Sequence, residues 1–515
     1  MAIQQRKFIL SVLKTGLRLR NRLRPSQQRA IIRQEKVLGK LLAQAMDTQF
    51  GKKYHFESIL NEEHFVEAFQ KTIPLVDYSG MYPWWKKSFS GEKEVCWPGV
   101  VPFFALSSGT SEDASKFIPV TKEMVKAIKR GGLKQTLALL RTAQGREALT
   151  HQTLMIGGST DLEWNGVNFS GDLSGITTGN LPFWFRPMSV PPPEIRAQKN
   201  WPEKIDEIVR SAKDWNVGVV TGTCSWIQII MERIIEHYQV KTIHDIWPNF
   251  QVLVHGGVMI DPFKKKFEEM FSREVLYFDT YMASEGFFAY QATPKSTGMR
   301  LMTGNQIFFE FVPFDSENFS EDGALLPQAK AITLNDVEPF VEYAMVISTC
   351  SGAWRYLIGD VVKFVSHSKF DIKIVGRTKH YLSICGEHLS MENMARAVRE
   401  TSEFFNVSLP EFTVAGVPDA SLFAHHWFVA CEEKIDSISI MNKIDEVLCH
   451  INDDYRVERK NAIKNLKINV IHPQLFVDWL AAQGKSGAQV KFPKVLKKYQ
   501  YESFLNFLKE KGAIQ

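Results

Sequence analysis

Four short apolar runs constrain the fold most: "TLMIGG" from Thr153, "VGVVTG" from Val217, "FQVLVHGG" from Phe250 and "EVLYFDTY" from Glu274. Helical patterns separate them at residues 202–213, 225–238 and 262–271. Strands joined through helices do not pair as tight hairpins; they build a largely parallel sheet with helices on its faces. Loops that meet ligands in such sheets sit at the carboxyl ends of the strands.

The flanking segments read differently. Residues 27–72 carry helical patterns with few breakers, and Val100–Leu106 is an apolar, β-prone run. Thr121 reads as the N-cap of a helix reaching about Ala143. From 305 to 350, "QIFFEFVPF", "AITLNDV" and "YAMVISTC" predict a β-meander, which "VVKFV" and "FDIKIVG" continue. After Arg377 the pattern changes to helix 390–404, strands 411–417 and 425–432, helix 436–452, strand 466–472 and helix 474–483. A chain of 515 residues exceeds one ordinary core. We therefore expect an α/β fold with a large N-terminal domain and β-rich subdomain over residues 1–376. A small, mobile α+β domain over 377–515 follows, joined at Gly376–Lys379.

Composition narrows the function classes. A net charge of +5 is small for this length and argues against nucleic acid as partner. No apolar run reaches the ~20 residues of a membrane helix, so no membrane span is expected. The six cysteines are scattered without a C-x-x-C pair, which suits reduced thiols in a cytoplasmic protein rather than zinc or disulfides. The basic start of the chain (Arg6, Lys7, Lys14, Arg18, Arg20, Arg22, Arg24, Arg29) lacks the apolar core of a signal peptide. Phe8, Val12, Leu19 and Leu23 recur at roughly helical spacing, and a helix docked on its own domain is expected there.

Five stretches carry candidate chemistry. "SSGTSEDASK" places Ser107, Ser108, Gly109, Thr110 and Ser111 directly after an apolar run and ends on Lys116. Hydroxyls, backbone N–H groups and a cation suit a polyphosphate, although the same residues make ordinary turns. It is not a Walker loop, because the G-x-x-x-x-G-K-[ST] spacing is missing. In "YMASE", Tyr281 can stack on a base, Ser284 can reach a phosphate and Glu285 can hold Mg²⁺ between phosphates; a solvated strand end reads the same way. Asp360 in "YLIGD" can accept both ribose hydroxyls, with Gly359 allowing close approach, or it can sit in a plain turn. "GRTK" with Lys379 is a basic hinge or a simple linker. Lys491 in "AQVKFPK" is, alone, one lysine among many.

Taken together, in this order, the five stretches resemble the acyl-adenylate-forming superfamily. More narrowly, they are similar to the Gretchen Hagen (auxin-responsive promoter) family of acyl-acid amido synthetases, and the resemblance spans nearly the whole chain. It implies a phosphate loop of Ser107 to Ser111 with Lys116, and Gly256 and Gly257 beside the adenine. Tyr281 would stack on that base, with Ser284 and Glu285 at the α-phosphate and Mg²⁺. Asp360 would hold the ribose, Lys379 would lie at the hinge, and Lys491 would be the catalytic lysine of the C-terminal domain. The sequence departs from the family pattern at Leu357, where arginine is expected in Y-R-x-G-D; Arg355 is the candidate to stand in. Glu112 and Asp113 also occupy phosphate-loop positions where small residues are commoner.

The implied reaction activates a carboxylic acid with ATP and Mg²⁺ as an acyl adenylate, then transfers the acyl group to an amine such as an amino acid. The alternatives are coenzyme A as acceptor, and a nucleotide-binding protein without catalysis. The expected partners are these small molecules, and the expected oligomeric state is a monomer. No pattern selects the acyl acid; "GGSTDLEW" and "FFAY" are the stretches expected around it.

Overall fold

The computed structural model describes residues 27–107, 116–183, 185–257, 260–320, 323–378, 381–382, 384–385, 387, 389–419, 422–433, 435–483 and 492–514. The expectations for the basic N-terminal segment, for Ser108, Gly109, Thr110 and Ser111, for Glu112 and Asp113, for Lys379 and for Lys491 fall outside these residues. The described residues sort into two compact units. One holds those up to 107 and from 117 to 378; the other holds Lys116 and those beyond 378.

The first unit is built on an 11-stranded sheet. In chain order its strands are β1 (Gln152–Met155), β2 (Ser189–Val190), β3 (Val217–Gly222), β4 (Val252–Gly256), β5 (Leu276–Ala283), β6 (Gly286–Tyr290), β7 (Met299–Leu301), β8 (Ile307–Pro313), β9 (Glu342–Thr349), β10 (Tyr356–Ser366) and β11 (Asp371–Arg377). Their spatial order is β8-β9-β10-β11-β7-β6-β5-β4-β3-β1-β2. From β2 to β5 every neighbouring pair is parallel. From β5 to β8 every pair is antiparallel. The α/β half and the β-rich half are thus one continuous sheet that changes character at the β5–β6 hairpin.

Helices Cys224–Tyr238 and Asp261–Met270 make the crossovers β3 to β4 and β4 to β5, within a residue or so of the expected ranges. Helix Lys122–Leu139 begins where Thr121 accepts the Met124 N–H at 3.1 Å. It stops short of Ala143 because Thr142 caps the next helix, Ala143–Ala148. Helix Lys122–Leu139 crosses β6 at Gly131, where a Cβ would lie 2.4 Å from the Phe287 ring, so only glycine permits the approach.

Two stretches fold otherwise than expected. "AITLNDV" is not a strand but a loop with one bridge, Ile332 to Phe311. Thr333 and Asp336 hydrogen-bond each other, and Thr333 accepts the Asn335 N–H, so local side-chain bonds replace the ladder. Helix Tyr78–Phe89 lay beyond the predicted helical region because its Pro83 and aromatic content mask the period. Asp77 caps it.

The interior of this unit holds a buried ion pair. Arg355 donates to Glu310 at 2.9–3.1 Å and to the carbonyls of Gln70 and Ile73 at 2.7 Å, tying helix Phe65–Thr72 to β8 and the start of β10. Arg355 is therefore committed to the scaffold, and its proposed substitution for the missing nucleotide-motif arginine is corrected.

In the second unit, strands Phe412–Asp419, Leu422–Ala430 and Ile463–Ile471 form a sheet, the first pair antiparallel and the second parallel. Residues beyond Lys491 run beside the first strand, with Val414 and residues 494 and 496 exchanging backbone bonds of 3.0 and 2.9 Å. Phe492 is buried against Phe476, Trp479 and Phe504. The final helix, Lys498–Glu510, was not foreseen.

Replacing Arg355 by Met leaves Glu310, with no exposed surface, as a lone buried charge. The expected cost is about 3–5 kcal/mol, read as a lowered denaturation midpoint. The double variant with Glu310→Leu should recover much of it, since the uncompensated charge is then gone.

Candidate active site

The motif residues that can be described gather where the sheet changes from parallel to antiparallel. β4 ends in Gly256 and Gly257. A Cβ on Gly256 would come 2.6 Å from the Thr280 carbonyl of β5, and Gly257 has φ +83°. Both positions demand glycine, and the backbone there lies open to a ligand. Next along the sheet, β5 ends beyond Tyr281 and turns through Ser284 and Glu285 into β6.

Two strands bring the third motif to the same place. β10 carries Tyr356, Gly359 and Asp360, and its register pairs Asp360 with Arg377 of β11. Gly359 has φ +92°, and its carbonyl accepts the Thr378 N–H at 2.8 Å. Arg377 Nε donates to Asp360 Oδ1 at 2.7 Å, and the Tyr281 hydroxyl donates to Oδ2 at 2.5 Å. Asp360 is buried, so both partners offset the loss of water. A carboxylate offers about four lone-pair sites, so Asp360 retains capacity for two further donors. The Tyr281 ring packs edge-on to Phe288 at 4.9 Å. Burial, followed by the Asp360 charge, holds its phenol well above the usual range, so it stays a neutral donor.

Glu285 is also buried, and after burial its charge is what raises the Tyr356 phenol most. Its charge acts on Tyr281 as well, so Glu285, Tyr281, Asp360 and Arg377 form one electrostatic cluster. Among the described residues no group of three His, Cys, Asp or Glu side chains could cage a metal. One hard carboxylate still fits Mg²⁺, which keeps several waters and takes remaining ligands from substrate phosphates.

Beside Gly257 lies a cleft of about 180 Å³ lined by Asp279, Thr280, Gln291, Met299 and Ile374, among others. "FFAY" forms β6, buried at every position. In "GGSTDLEW", the carbonyls of Gly157 and Gly158 accept from the Lys204 ammonium at 2.9 and 3.2 Å. Burial lowers Lys204 to about 8. Ser107 ends strand Phe103–Ser107 and Lys116 begins strand Lys116–Val120, both in a separate four-stranded sheet.

Sequence reasoning passed over Arg377, Tyr356 and Lys204. The first two stood inside the quoted "GRTK" and "YLIGD", but only the hairpin register and the sheet order give them partners. Lys204 had no local signal.

Three models of the GH3 family match the chain: its N-terminal domain over residues 19–163, its central domain over 300–377 and its C-terminal domain over 392–500. The chain is 23% identical over 549 residues to a probable indole-3-acetic acid-amido synthetase, GH3.1, of Oryza sativa subsp. japonica, covering 90% of this chain and 87% of that one. It is 22% identical to the indole-3-acetic acid-amido synthetase GH3.4 of Arabidopsis thaliana, covering 90% and 88%. Among solved structures, it resembles AtGH3.15 acyl acid amido synthetase in complex with 2,4-DB, with TM-score 0.58, 18% identity and 97% and 96% coverage. It also resembles a 2-hydroxyisobutyryl-CoA ligase in complex with 2-HIB-AMP and CoA, with TM-score 0.57, 13% identity and 94% coverage of both chains. Likeness to these two solved structures is one of fold.

Arg377→Leu should destabilise the first unit by about 1.5–3 kcal/mol, the range for a hydrogen bond to a charged group. In an Asp360→Asn background the same change should cost much less. Equal costs in both backgrounds, measured by denaturant titration, would remove the pair from the account of this site.

Proposed function

The chain belongs to the GH3 family, and from that premise we propose that it is an ATP-dependent ligase that joins a carboxylic acid to an amine, in the form of an amino acid, through an acyl adenylate. A carboxylate acylates poorly because its oxygen is a poor leaving group. Its attack on the α-phosphate of ATP expels pyrophosphate and leaves an anhydride with AMP. An amine then attacks the carbonyl and releases AMP. A neutral amine is nucleophilic already, so this step needs no triad.

The observation that carries this reading is the convergence of "YMASE" and "YLIGD" on one buried cluster, in which Asp360 sits between Tyr281 and Arg377. We assign the ribose hydroxyls to the free lone pairs of Asp360. We assign the base to the cleft beside Gly256 and Gly257, where Asp279 offers an acceptor to an exocyclic amine, and Tyr281 is read as the ring that stacks on it. Glu285 would hold Mg²⁺, and Ser284 would reach the α-phosphate. When bound, Mg²⁺ offsets phosphate charge. Ser107 to Ser111 and Lys116 are read as the polyphosphate loop. Lys491 is read as the cation that meets charge developing at the α-phosphate. Lys379 is read as the hinge about which conformational steps separate the two half-reactions.

Coenzyme A as acceptor is the weaker reading: family membership supports the amide, and fold alone does not separate the two. All six cysteines are free thiols, which supports a reducing, cytoplasmic setting. Among the described residues no helix is long and apolar enough to cross a membrane. We take the working form to be a monomer.

Pyrophosphate exchange over a library of carboxylic acids, followed by amino acids or coenzyme A as acceptor with AMP release measured, tests the reaction. Glu285→Ala should depress exchange strongly at limiting Mg²⁺. Asp360→Ala should raise the KM for ATP more than it lowers turnover, because ribose contacts are equal in ground and transition states. Lys491→Ala should lower exchange by roughly 10²–10³ yet still convert a prepared acyl adenylate and amine to amide. If it slows both half-reactions equally, the lysine has no special place in adenylation.

A further inference from the structure

The chain commits a buried cation to backbone carbonyls at the end of β1. Lys204, on helix Trp201–Ser211, is 3% exposed. An ammonium has three N–H donors, and its Nζ lies 2.9 Å from the Gly157 carbonyl, 3.2 Å from that of Gly158 and 3.1 Å from that of Arg196. The same Nζ lies 5.2 Å from the centre of the Trp201 ring, which stacks on Trp226 at 4.2 Å. Taking a cation out of water is costly unless partners replace the water, and burial lowers this one to about 8. The charges that act on it are Asp172, just before helix Leu173–Gly179, and Arg196 of helix Pro193–Ala197.

The loop that Lys204 holds is gripped from its other side too. The Gly158 N–H donates to Ser174 Oγ at 2.8 Å, and the Ser159 hydroxyl donates to the Ala197 carbonyl at 2.7 Å. A Cβ on Gly158 would come 2.1 Å from Asp172 Oδ2, so the loop lies flush against the start of helix Leu173–Gly179.

This loop borders the ligand edge of the sheet. β1, β3 and β4 are parallel neighbours, so their carboxyl ends lie together. The Ile156 N–H donates to the Thr221 carbonyl at 2.8 Å. A Cβ on Gly222 would lie 3.0 Å from Ile156 Cβ, and one on Gly257 would lie 3.3 Å from Thr223 Cγ2. The three ends thus meet in a row that runs from Gly157 past Gly222 to the cleft beside Gly257. The base is assigned to that cleft, at the end of β4. Beyond the other end of the row, Arg196 closes off β2 by donating to the carbonyls of Ser189 and Pro191 at 2.9 and 2.5 Å. The strand ends left for a second substrate are those of β3 and β1.

We propose that Lys204 is a positioning residue for the acyl acid: by holding the carbonyls of Gly157 and Gly158, its ammonium fixes the wall of the subsite that receives the acid's chain, and with it which acids are accepted. This inference rests on the adenylation reading and on the base lying beside Gly257. Lys204 itself touches no substrate, because its three donors are already used. What it supplies is a wall formed before the acid arrives, so that binding does not have to order it.

ATP–pyrophosphate exchange on the full-length protein tests this, with straight-chain, branched, aryl and hydroxy monocarboxylic acids as probes. Lys204→Met keeps the reach of the side chain and removes the ammonium. It should raise the KM of the best acid about 10-fold, the lower end for a hydrogen bond to a charged group. It should also change the order of preference among the acids, while the KM for ATP stays as in the wild type. Ser174→Ala frees the loop from its other side and should move the acid KM in the same direction. In the double variant the two effects should fall short of additivity, because both act on one loop. In the wild type the acid KM should rise as the pH passes about 8, where the ammonium loses its proton and with it one donor; Lys204→Met should lack this rise. If Lys204→Met is not recovered folded, Ser174→Ala and the wild-type pH profile decide, and an acid KM unmoved in both overturns the proposal. An unaltered acid profile in Lys204→Met, or equal rises in KM for ATP and acid, would make the lysine a plain brace and overturn it as well. Absence of acid-dependent exchange in the wild type would instead remove the adenylation reading, and the positioning role with it.

Discussion

A carboxylate removed from water has to be paired, and this site is floored by two of them. Asp360 lies between a phenol and a guanidinium, and the charge of buried Glu285 acts on the same phenol. Satisfying Asp360 requires β5, β10 and β11 to come together, because the carboxylate and its two partners stand on three strands. The unusual backbone features of the chain nearby belong to the same place. Gly256 lacks a side chain because β5 presses on it, and Gly359 takes a positive φ one residue before Asp360.

The change of strand direction at β5–β6 also has a chemical use. Parallel strands present open carboxyl ends at one edge, which suits a nucleotide. Antiparallel strands place side chains directly opposite one another, which is how Arg377 reaches Asp360. A site on the seam draws on both properties: backbone approach from the glycines on one side and paired charges on the other.

Charge placement separates scaffold from site. Two arginines stand near the "YLIGD" motif, and only one serves it. Arg355, with φ +45°, turns inward to Glu310 and two carbonyls and closes the helical layer onto the sheet. Leu357, where the family pattern carries arginine, joins an apolar cluster with Val312, Ala344 and Val346. The cation beside the Asp360 carboxylate is Arg377, delivered from the next strand. Asp360 is thus paired although the motif arginine is absent here.

What the sequence by itself determined was local. Periodicity located β1, β3, β4 and β5, the crossover helices and the Thr121 cap, because each is set by residues a few positions apart. The motifs named the reaction class only through the family resemblance they carry together, since each alone reads equally well as an ordinary turn or loop. "AITLNDV" misled because side-chain bonds within seven residues outcompeted its β-propensity. The tertiary structure decided the rest. Asp360 meets Tyr281 across 79 positions and Arg377 across 17, contacts that depend on strand order and register and leave no mark in composition. Arg355 and Arg377 are the same residue type in similar company, and only the direction of each side chain in the folded sheet makes one a brace and the other a partner.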